Sequence, residues 1–178
     1  GWNTWLVNTE NNDTLSALNF FTYACGSFGT MLGGAGKLGG SDSAVKNLNS
    51  LQGHTGMRIQ ATFFKMDDWS ARRRLQLMVD GALAWEARTP RLGESTGSHE
   101  CGELNETDDS FSVDTTVDHV SEQATLTFTS DSPRRDDYWG VANIVVTLLT
   151  AHPSPPMPPA PPGTWAAPIQ MATRPGVS

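Results

Sequence analysis

Apolar and polar residues alternate with a period of two along several short stretches of the chain, and this period is typical of half-buried β-strands. Residues 57–64 alternate and then become apolar on both faces, and residues 124–129 place their threonines on the polar face. Residues 112–117 predict a further strand, and residues 2–7 predict an opening one. Residues 141–149 are β-branched and nearly all apolar, which predicts a central buried strand.

Turn residues separate these stretches and indicate how the strands connect. Asp80-Gly81 stands between the apolar runs 75–79 and 82–85, and an Asp-Gly pair in that setting predicts a β-hairpin. Only residues 41–51 have a pattern that predicts a helix. Many short strands with turns between them predict an all-β, jelly-roll-like antiparallel β-sandwich. The periodicity leaves an immunoglobulin-like strand order open as the alternative.

Prolines divide the chain into two parts. Nine of the 11 prolines follow Thr150, and Arg174 is the only charged residue after it. Proline fixes φ and lacks an N–H group, so we predict a β-sandwich domain at 1–150 and an extended polyproline II tail at 151–178. An inert linker is the alternative to a tail that partners recognise or that carries sugars.

Charge excludes several classes of partner. The chain has 12 Lys and Arg against 19 Asp and Glu, a formal net charge of −7. That balance argues against a nucleic-acid binder and against adsorption to anionic lipid. The longest apolar runs fall far short of the roughly 20 residues that span a bilayer, so we expect no membrane insertion. A start at Gly1 without a leader predicts a processed, extracellular chain.

Two cysteines and two glycosylation sequons fit that compartment. An even cysteine count in a chain of secreted character predicts a Cys25–Cys101 disulfide, with two buried free thiols as the alternative. Asn12 and Asn105 each begin an Asn-x-Thr sequon and are predicted N-glycosylation sites.

Paired aspartates beside two predicted strands are the clearest candidate chemistry. Asp67 and Asp68 follow one strand, and Asp136 and Asp137 precede another. Carboxylate oxygens are the ligands that Ca²⁺ prefers, so these four residues could hold a structural calcium ion between two loops. The alternative is ion pairing with nearby arginines. Those arginines are Arg72, Arg73, Arg74, Arg134 and Arg135.

Tryptophans and histidines suggest packing more than chemistry. Trp69 and Trp139 are expected in the core, whereas Trp85 and Trp165 are candidates for stacking on a ligand. His54 and His119 flank strands and are expected to make structural hydrogen bonds.

The chain has no Gly-x-Ser-x-Gly elbow and no His-Glu-x-x-His helix, and we therefore predict no enzymatic activity. Acid pairs could serve glycoside hydrolysis, but their separation cannot be read from sequence.

An ordered series of short motifs runs through roughly residues 20–149. The motifs are Leu32-Gly33-Gly34, His54, residues 63–69, Val79-Asp80-Gly81, Trp85, Cys101-Gly102, Asp108, His119, residues 126–130 and residues 137–141. This series resembles a lectin-like β-sandwich module of mastigoneme-like and other large surface proteins of algae and ciliates.

The tail resembles those of hydroxyproline-rich glycoproteins of algal walls and flagellar surfaces. That resemblance implies hydroxylation and O-glycosylation along the proline run. The residues concerned are Pro153, Ser154, Pro155, Pro156, Pro158, Pro159, Pro161 and Pro162.

These observations predict a structural subunit of an extracellular glycoprotein fibre or surface coat. Its partners would be copies of itself or other Pro-rich glycoproteins, and assembly would use the stiff tail against a sandwich groove. The alternative is an extracellular carbohydrate-binding module that recognises glycans through exposed tryptophans and acidic loops.

Overall fold

The computed structural model describes residues 6–8, 22–103 and 105–150. Over these ranges the chain forms ten β-strands and a single 3₁₀ turn, Gly26–Phe28, and the predicted all-β fold is confirmed. No helix among the described residues is long and apolar enough to cross a membrane. Asn12, Trp165 and the whole predicted tail at 151–178 lie outside the described residues.

Ten strands form two antiparallel five-stranded sheets. The first sheet has the order β1-β4-β9-β6-β7 and the second has the order β2-β3-β10-β5-β8. The first sheet consists of β1 (Leu6–Asn8), β4 (Ser43–Leu48), β9 (Ala124–Ser130), β6 (Arg74–Val79) and β7 (Ala82–Arg88). The second sheet consists of β2 (Thr22–Cys25), β3 (Gly29–Gly33), β10 (Trp139–Leu149), β5 (Gly56–Lys65) and β8 (Asp109–Asp118).

The main hydrophobic core lies between the sheets, because apolar side chains from alternate positions of both sheets enter one cluster. Phe63 of the second sheet packs against Phe128 of the first, with ring centroids 5.9 Å apart. It also contacts Trp139 at 5.2 Å. Trp69 and Trp139 are almost fully buried, as the sequence predicts.

The predicted hairpin is confirmed between β6 and β7. Asp80 and Gly81 form the two-residue turn, with φ values of 50° and 80°. Positive φ at both positions is the type I′ geometry, whose twist matches that of the flanking strands.

The predicted helix at 41–51 is wrong, because this segment contains strand β4. Ala44 and Lys46 are buried while Val45 and Asn47 are more exposed, which is a period of two. β4 pairs with β9 over six residues. A helix of about 11 residues is marginal in water, and the hydrogen bonds offered by β9 favour the extended form.

Strand β10 is central in its sheet as predicted, but only its first part is buried. Trp139 and Val141 are buried, whereas Val145 is 51% exposed. An irregularity between Ala142 and Val145 interrupts the pairing with β5, and Asn143 within it has a φ of 54°. This β-bulge changes which side chains face the core.

A smaller hydrophobic cluster lies beside the main core and surrounds the disulfide. It contains Cys25, Met31, Phe64 and Met66. The predicted Cys25–Cys101 disulfide is formed and joins residues 76 apart in sequence. It fastens the long connection before β8 to the end of β2.

Three connections meet at one end of the sandwich, and each of them crosses from one sheet to the other. They are the β5–β6 connection at 66–73, the β7–β8 connection at 89–108 and the β9–β10 connection at 131–138. These segments carry most of the candidate chemistry.

An acidic cavity as the candidate functional site

The three connections enclose a cavity of about 280 Å³, which we call the acidic cavity. Six carboxylates, one arginine and two hydroxyl-bearing side chains line it. They are Asp67, Asp68, Ser70, Glu103, Glu106, Arg134, Asp136, Asp137 and Tyr138. All four aspartates that the sequence marks as metal ligands therefore face a single cavity, although they come from connections about 70 residues apart.

A buried lysine supports one wall of the acidic cavity. Lys65, at the end of β5, is fully buried, and its Nζ lies 3.0 Å from Oδ2 of Asp109. The same ammonium group donates hydrogen bonds to the carbonyl oxygens of Asp67 and Thr107. A buried charge is tolerated only when it is paired and hydrogen-bonded, and Lys65 meets both conditions.

A fully buried aspartate joins two of the connections. Asp108 Oδ1 accepts the N–H of Asp67 at 2.9 Å. Its Oδ2 accepts the N–H groups of Glu100 and Cys101 at 2.9 and 2.8 Å. One carboxylate thus satisfies three backbone donors beside the disulfide, which fixes Asp67 relative to the β7–β8 connection.

The backbone at Gly102 and Glu103 lies close against the Asp67 carboxylate and fixes its position. Asp67 Oδ1 accepts the N–H of Glu103 at 2.7 Å. Gly102 has a φ of 78°, and a Cβ atom built there would collide with the Asp67 carboxylate. Glycine is therefore required at this position for both its backbone conformation and its lack of a side chain.

Hydrogen bonds between the β5–β6 and β7–β8 connections hold the carboxylates of Asp68 and Glu106. Glu106 Oε2 accepts the N–H of Asp68 at 3.0 Å, and Asp68 Oδ1 accepts the hydroxyl of Thr107 at 2.7 Å. On the opposite wall Arg134 Nη2 lies 2.6 Å from Asp136 Oδ2, and Asp137 accepts the hydroxyl of Ser132. The cavity is therefore organised before any ligand enters.

Burial and mutual repulsion shift the acidities in the acidic cavity. Burial raises the pKa of Asp67, and the negative charges of Asp108, Glu106 and Glu103 raise it further. The hydrogen bond from the Glu103 N–H lowers this pKa but does not cancel the rise. Burial also raises the pKa of Asp137. The hydrogen bond from Arg134 lowers the pKa of Asp136.

The four predicted calcium ligands share a cavity but not a ready-made coordination sphere. Among the described residues, only Cys25, Cys101 and Asp108 bring three ligand atoms within 4.8 Å of one another. The two sulfur atoms of that group are joined in the disulfide, so it is not a metal site. A cation in the acidic cavity would have to draw the aspartates together.

The alternative prediction of ion pairing is only partly correct. Arg134 pairs with Asp136 and lies 3.9 Å from Asp137. Arg72 and Arg74 pair elsewhere, with Glu94 and Asp131 respectively.

Two other predicted positions lie in different settings. Trp85 does not line the acidic cavity; it lies half-buried on edge strand β7 with its ring stacked on Phe63 at 6.2 Å. Asn105 is exposed, with a φ of 79°, between the cavity residues Glu103 and Glu106. Its glycosylation stays a prediction, and a glycan there would stand at the cavity rim.

Four further residues line the acidic cavity that the sequence does not mark as site residues: Ser70, Glu103, Glu106 and Tyr138. Neither glutamate has a local signal, because each meets Asp67 or Asp68 only through a contact 36 to 38 residues away in sequence. The motifs Cys101-Gly102 and Asp108 and the predicted disulfide point to this connection, but they do not mark the two glutamates.

Histidines at the opposite end of the sandwich are structural, as predicted. His54 Nε2 lies 2.7 Å from His119 Nδ1, and His119 Nε2 lies 3.1 Å from Asp80 Oδ2. Both rings are buried, and they tie the β4–β5 and β8–β9 connections to the hairpin turn.

No protein-family model and no curated protein matches the chain. Among solved structures, the chain is similar to the C-terminal domain of the sugar-binding protein EclA, with 13% identity and a TM-score of 0.43 over 64% of this chain and 71% of that one. It is also similar to the C-terminal CBM6 of the laminarinase LamC from Zobellia galactanivorans, with 13% identity and a TM-score of 0.37 over 80% of this chain and 98% of that one.

A third likeness is to the CBM22-1–GH10 modules of Clostridium thermocellum xylanase 10B. Identity is 14% and the TM-score is 0.44, and the alignment covers 83% of this chain but only 26% of that one. These structural neighbours include carbohydrate-binding modules. Because every one of these TM-scores is below 0.5, the sandwich assignment rests on the strand pairing of this chain.

Proposed function

We propose that the chain is an extracellular glycan-binding module and that the acidic cavity is its binding site. The supporting observation is the convergence of six carboxylates, Arg134 and the Tyr138 ring around one cavity of about 280 Å³. That volume suits a small part of a polar ligand, such as one or two sugar rings. The proposal rests on the cavity and not on the distant likenesses to carbohydrate-binding modules.

Carboxylates suit sugar hydroxyls because an ionised carboxylate accepts hydrogen bonds and cannot donate them. Hydrogen bonds to a charged acceptor are about twice as strong as neutral ones. The cavity carboxylates are held by backbone and side-chain donors, so little ordering cost falls on ligand binding. Tyr138 adds a partly exposed aromatic ring that could lie against a sugar face.

Binding without catalysis is part of this proposal. A raised pKa, as for Asp67 and Asp137, is also what a general acid needs. However, both side chains already accept hydrogen bonds from the protein, Asp67 from Glu103 and Asp137 from Ser132. We expect no hydrolysis of a panel of glycosides by the purified chain.

Calcium stays a prediction from the sequence, and so does fibre assembly through the tail. Asp67, Asp68, Asp136 and Asp137 offer oxygen ligands of the right kind, but they would need to move together around an ion. The residues that would drive assembly lie outside the described structure.

A glycan array probed with the full chain tests the proposal. We expect selective binding to a subset of glycans and at least tenfold weaker binding by Asp67→Asn. The control variant Asp114→Asn removes a carboxylate from the exposed face of β8 and should bind as the parent does. A repeat with chelator tests the calcium prediction. An array without any binding would refute the proposal.

A further inference from the structure

Five of the 12 basic residues of this acidic chain lie together beside the acidic cavity. They border three adjoining surface cavities, which we call the arginine groove. The basic residues are Arg72, Arg73, Arg74, Arg88 and Arg91. The largest of the three cavities has a volume of about 630 Å³ and is also lined by Thr89, Pro90 and Glu94. Arg72 borders all three cavities, so they form one continuous feature.

Strand pairing forces two of these arginines together. Arg74 at the start of β6 lies directly opposite Arg88 at the end of β7. Like charges directly opposite one another destabilise a sheet. The backbone of Arg73 is also held in place, because its N–H donates to Thr89 Oγ1 and its carbonyl accepts the N–H of Thr89.

Too few carboxylates are present to neutralise the groove. Glu94 serves two guanidinium groups at once, since Arg72 and Arg91 both lie 2.9 Å from it. Arg74 pairs with Asp131 at 2.7 Å and lies 3.9 Å from Glu86. Among the described residues, three carboxylates therefore form ion pairs with only three of the five arginines.

Two arginines of the groove have guanidinium nitrogens without a hydrogen-bond partner among the described residues. Within the part of the chain that the structure describes, the Arg88 side chain makes neither an ion pair nor a hydrogen bond. The Nε atom of Arg73 is buried and has no hydrogen-bond partner among the described residues. The Arg88 side chain is exposed, so its guanidinium group can donate to an anion without breaking an existing pair.

We propose that the arginine groove binds the anionic substituent of an acidic sugar, a carboxylate or a sulfate, and so extends the glycan site beyond the acidic cavity. The planar guanidinium fork matches both of these anions. Ser70 borders both the acidic cavity and the arginine groove, so one oligosaccharide could reach from hydroxyl acceptors to anion donors. This inference rests on the proposed glycan binding and names its ligand class.

Paired oligosaccharides test the inference by calorimetric titration of the full chain. One pair is oligogalacturonate and its methyl ester, and the other is a sulfated galactan oligosaccharide and its desulfated form. At least one anionic member should bind at least tenfold more tightly than its neutral counterpart, and the pair with the larger ratio identifies the anion. The preference should weaken as sodium chloride is raised.

Variant Arg88→Gln should reduce binding of the preferred anionic oligosaccharide by about 10- to 100-fold, the range expected for losing a hydrogen-bonded charge. Arg58→Gln is the matched control, because it removes the same charge from an existing pair with Asp114 on the second sheet. Equal losses in the two variants would show a general charge effect and overturn the inference. Binding of poly-glutamate as tight as that of the oligosaccharide would also overturn it, in favour of an acidic peptide partner.

The two proposals can fail separately. If neutral and anionic members bind equally, and Asp67→Asn weakens both, the arginine groove is refuted while the glycan-binding function stands. If Arg88→Gln abolishes binding and Asp67→Asn leaves it unchanged, the inference stands and the acidic cavity is refuted as the site.

Discussion

Burial raises the pKa of Asp67 above its ordinary value of 3.8, so folding favours its protonated form. The stability that this protonation contributes is fully present below about pH 4 and is lost as the pH rises through the folded-state pKa. Asp67→Asn should therefore raise the free energy of unfolding at pH 7 and have little effect at pH 3. A gain in stability combined with weaker glycan binding is the pattern expected of a functional residue.

Urea unfolding at pH 3 and pH 7 measures this effect. Asp114→Asn is the control, and its pKa shift has the opposite direction, because the hydrogen bond from Arg58 lowers the pKa of Asp114. That variant should not be stabilised at pH 7. A less stable Asp67→Asn protein at pH 7 would contradict the account of this carboxylate.

Gly102 offers a second test at the residue scale. Alanine there would be held at a φ of 78°, and its Cβ would collide with the Asp67 carboxylate. We expect Gly102→Ala to lower the free energy of unfolding by about 1–2 kcal/mol or more. Gly36→Ala is the matched control, since it has a similar φ of 71° but a Cβ there meets nothing within 4 Å. Equal stabilities of the two variants would show that Gly102 does not constrain Asp67.

At the scale of elements, the disulfide connects the acidic cavity to the sandwich. Cys25→Ser combined with Cys101→Ser opens a link between residues 76 apart, which in the chain-entropy model costs about 4 kcal/mol. Chemical denaturation of the double variant, and of the parent with reductant, should show matching losses. An unchanged midpoint in both would mean that the β7–β8 connection is held by Asp108 and its neighbours alone.

Elements defined by local pattern were predictable from sequence. The alternation in β5 and β9 and the Asp80-Gly81 turn depend on neighbouring residues, and the structure confirms them. The local pattern at 41–51 predicts a helix, but strand β4 forms there because its pairing partner β9 lies about 80 positions away in sequence.

Only part of the candidate site was predictable from sequence, because some of its residues are marked by local pattern and others come together only in the fold. Aspartates beside strand ends are visible in the sequence, but the glutamates that complete the cavity reach it through the disulfide-linked connection. The opposition of Arg74 and Arg88 likewise exists only once β6 and β7 pair.

On the scale of the whole molecule, the acidic cavity and the arginine groove occupy the same end of the sandwich, and the histidine pair occupies the other.

Whether the predicted tail drives assembly is a separate question. Electron microscopy of the intact chain beside one ending at Thr150 tests whether residues 151–178 drive assembly. Regular fibres from the intact chain alone would support the fibre prediction. Monomers from both at high concentration would exclude it and leave a glycan-binding head on a stalk.

The central claim, that the acidic cavity binds glycan, is tested most directly by two-dimensional NMR of the labelled full chain. The chain is titrated with the strongest ligand from the glycan array. The largest chemical-shift changes should fall on the amides of Asp68, Glu106 and Tyr138, and the amides of His54 and His119 at the opposite end should be unaffected. Changes confined to the exposed face around Asp114, or to the histidine end, would contradict the central claim.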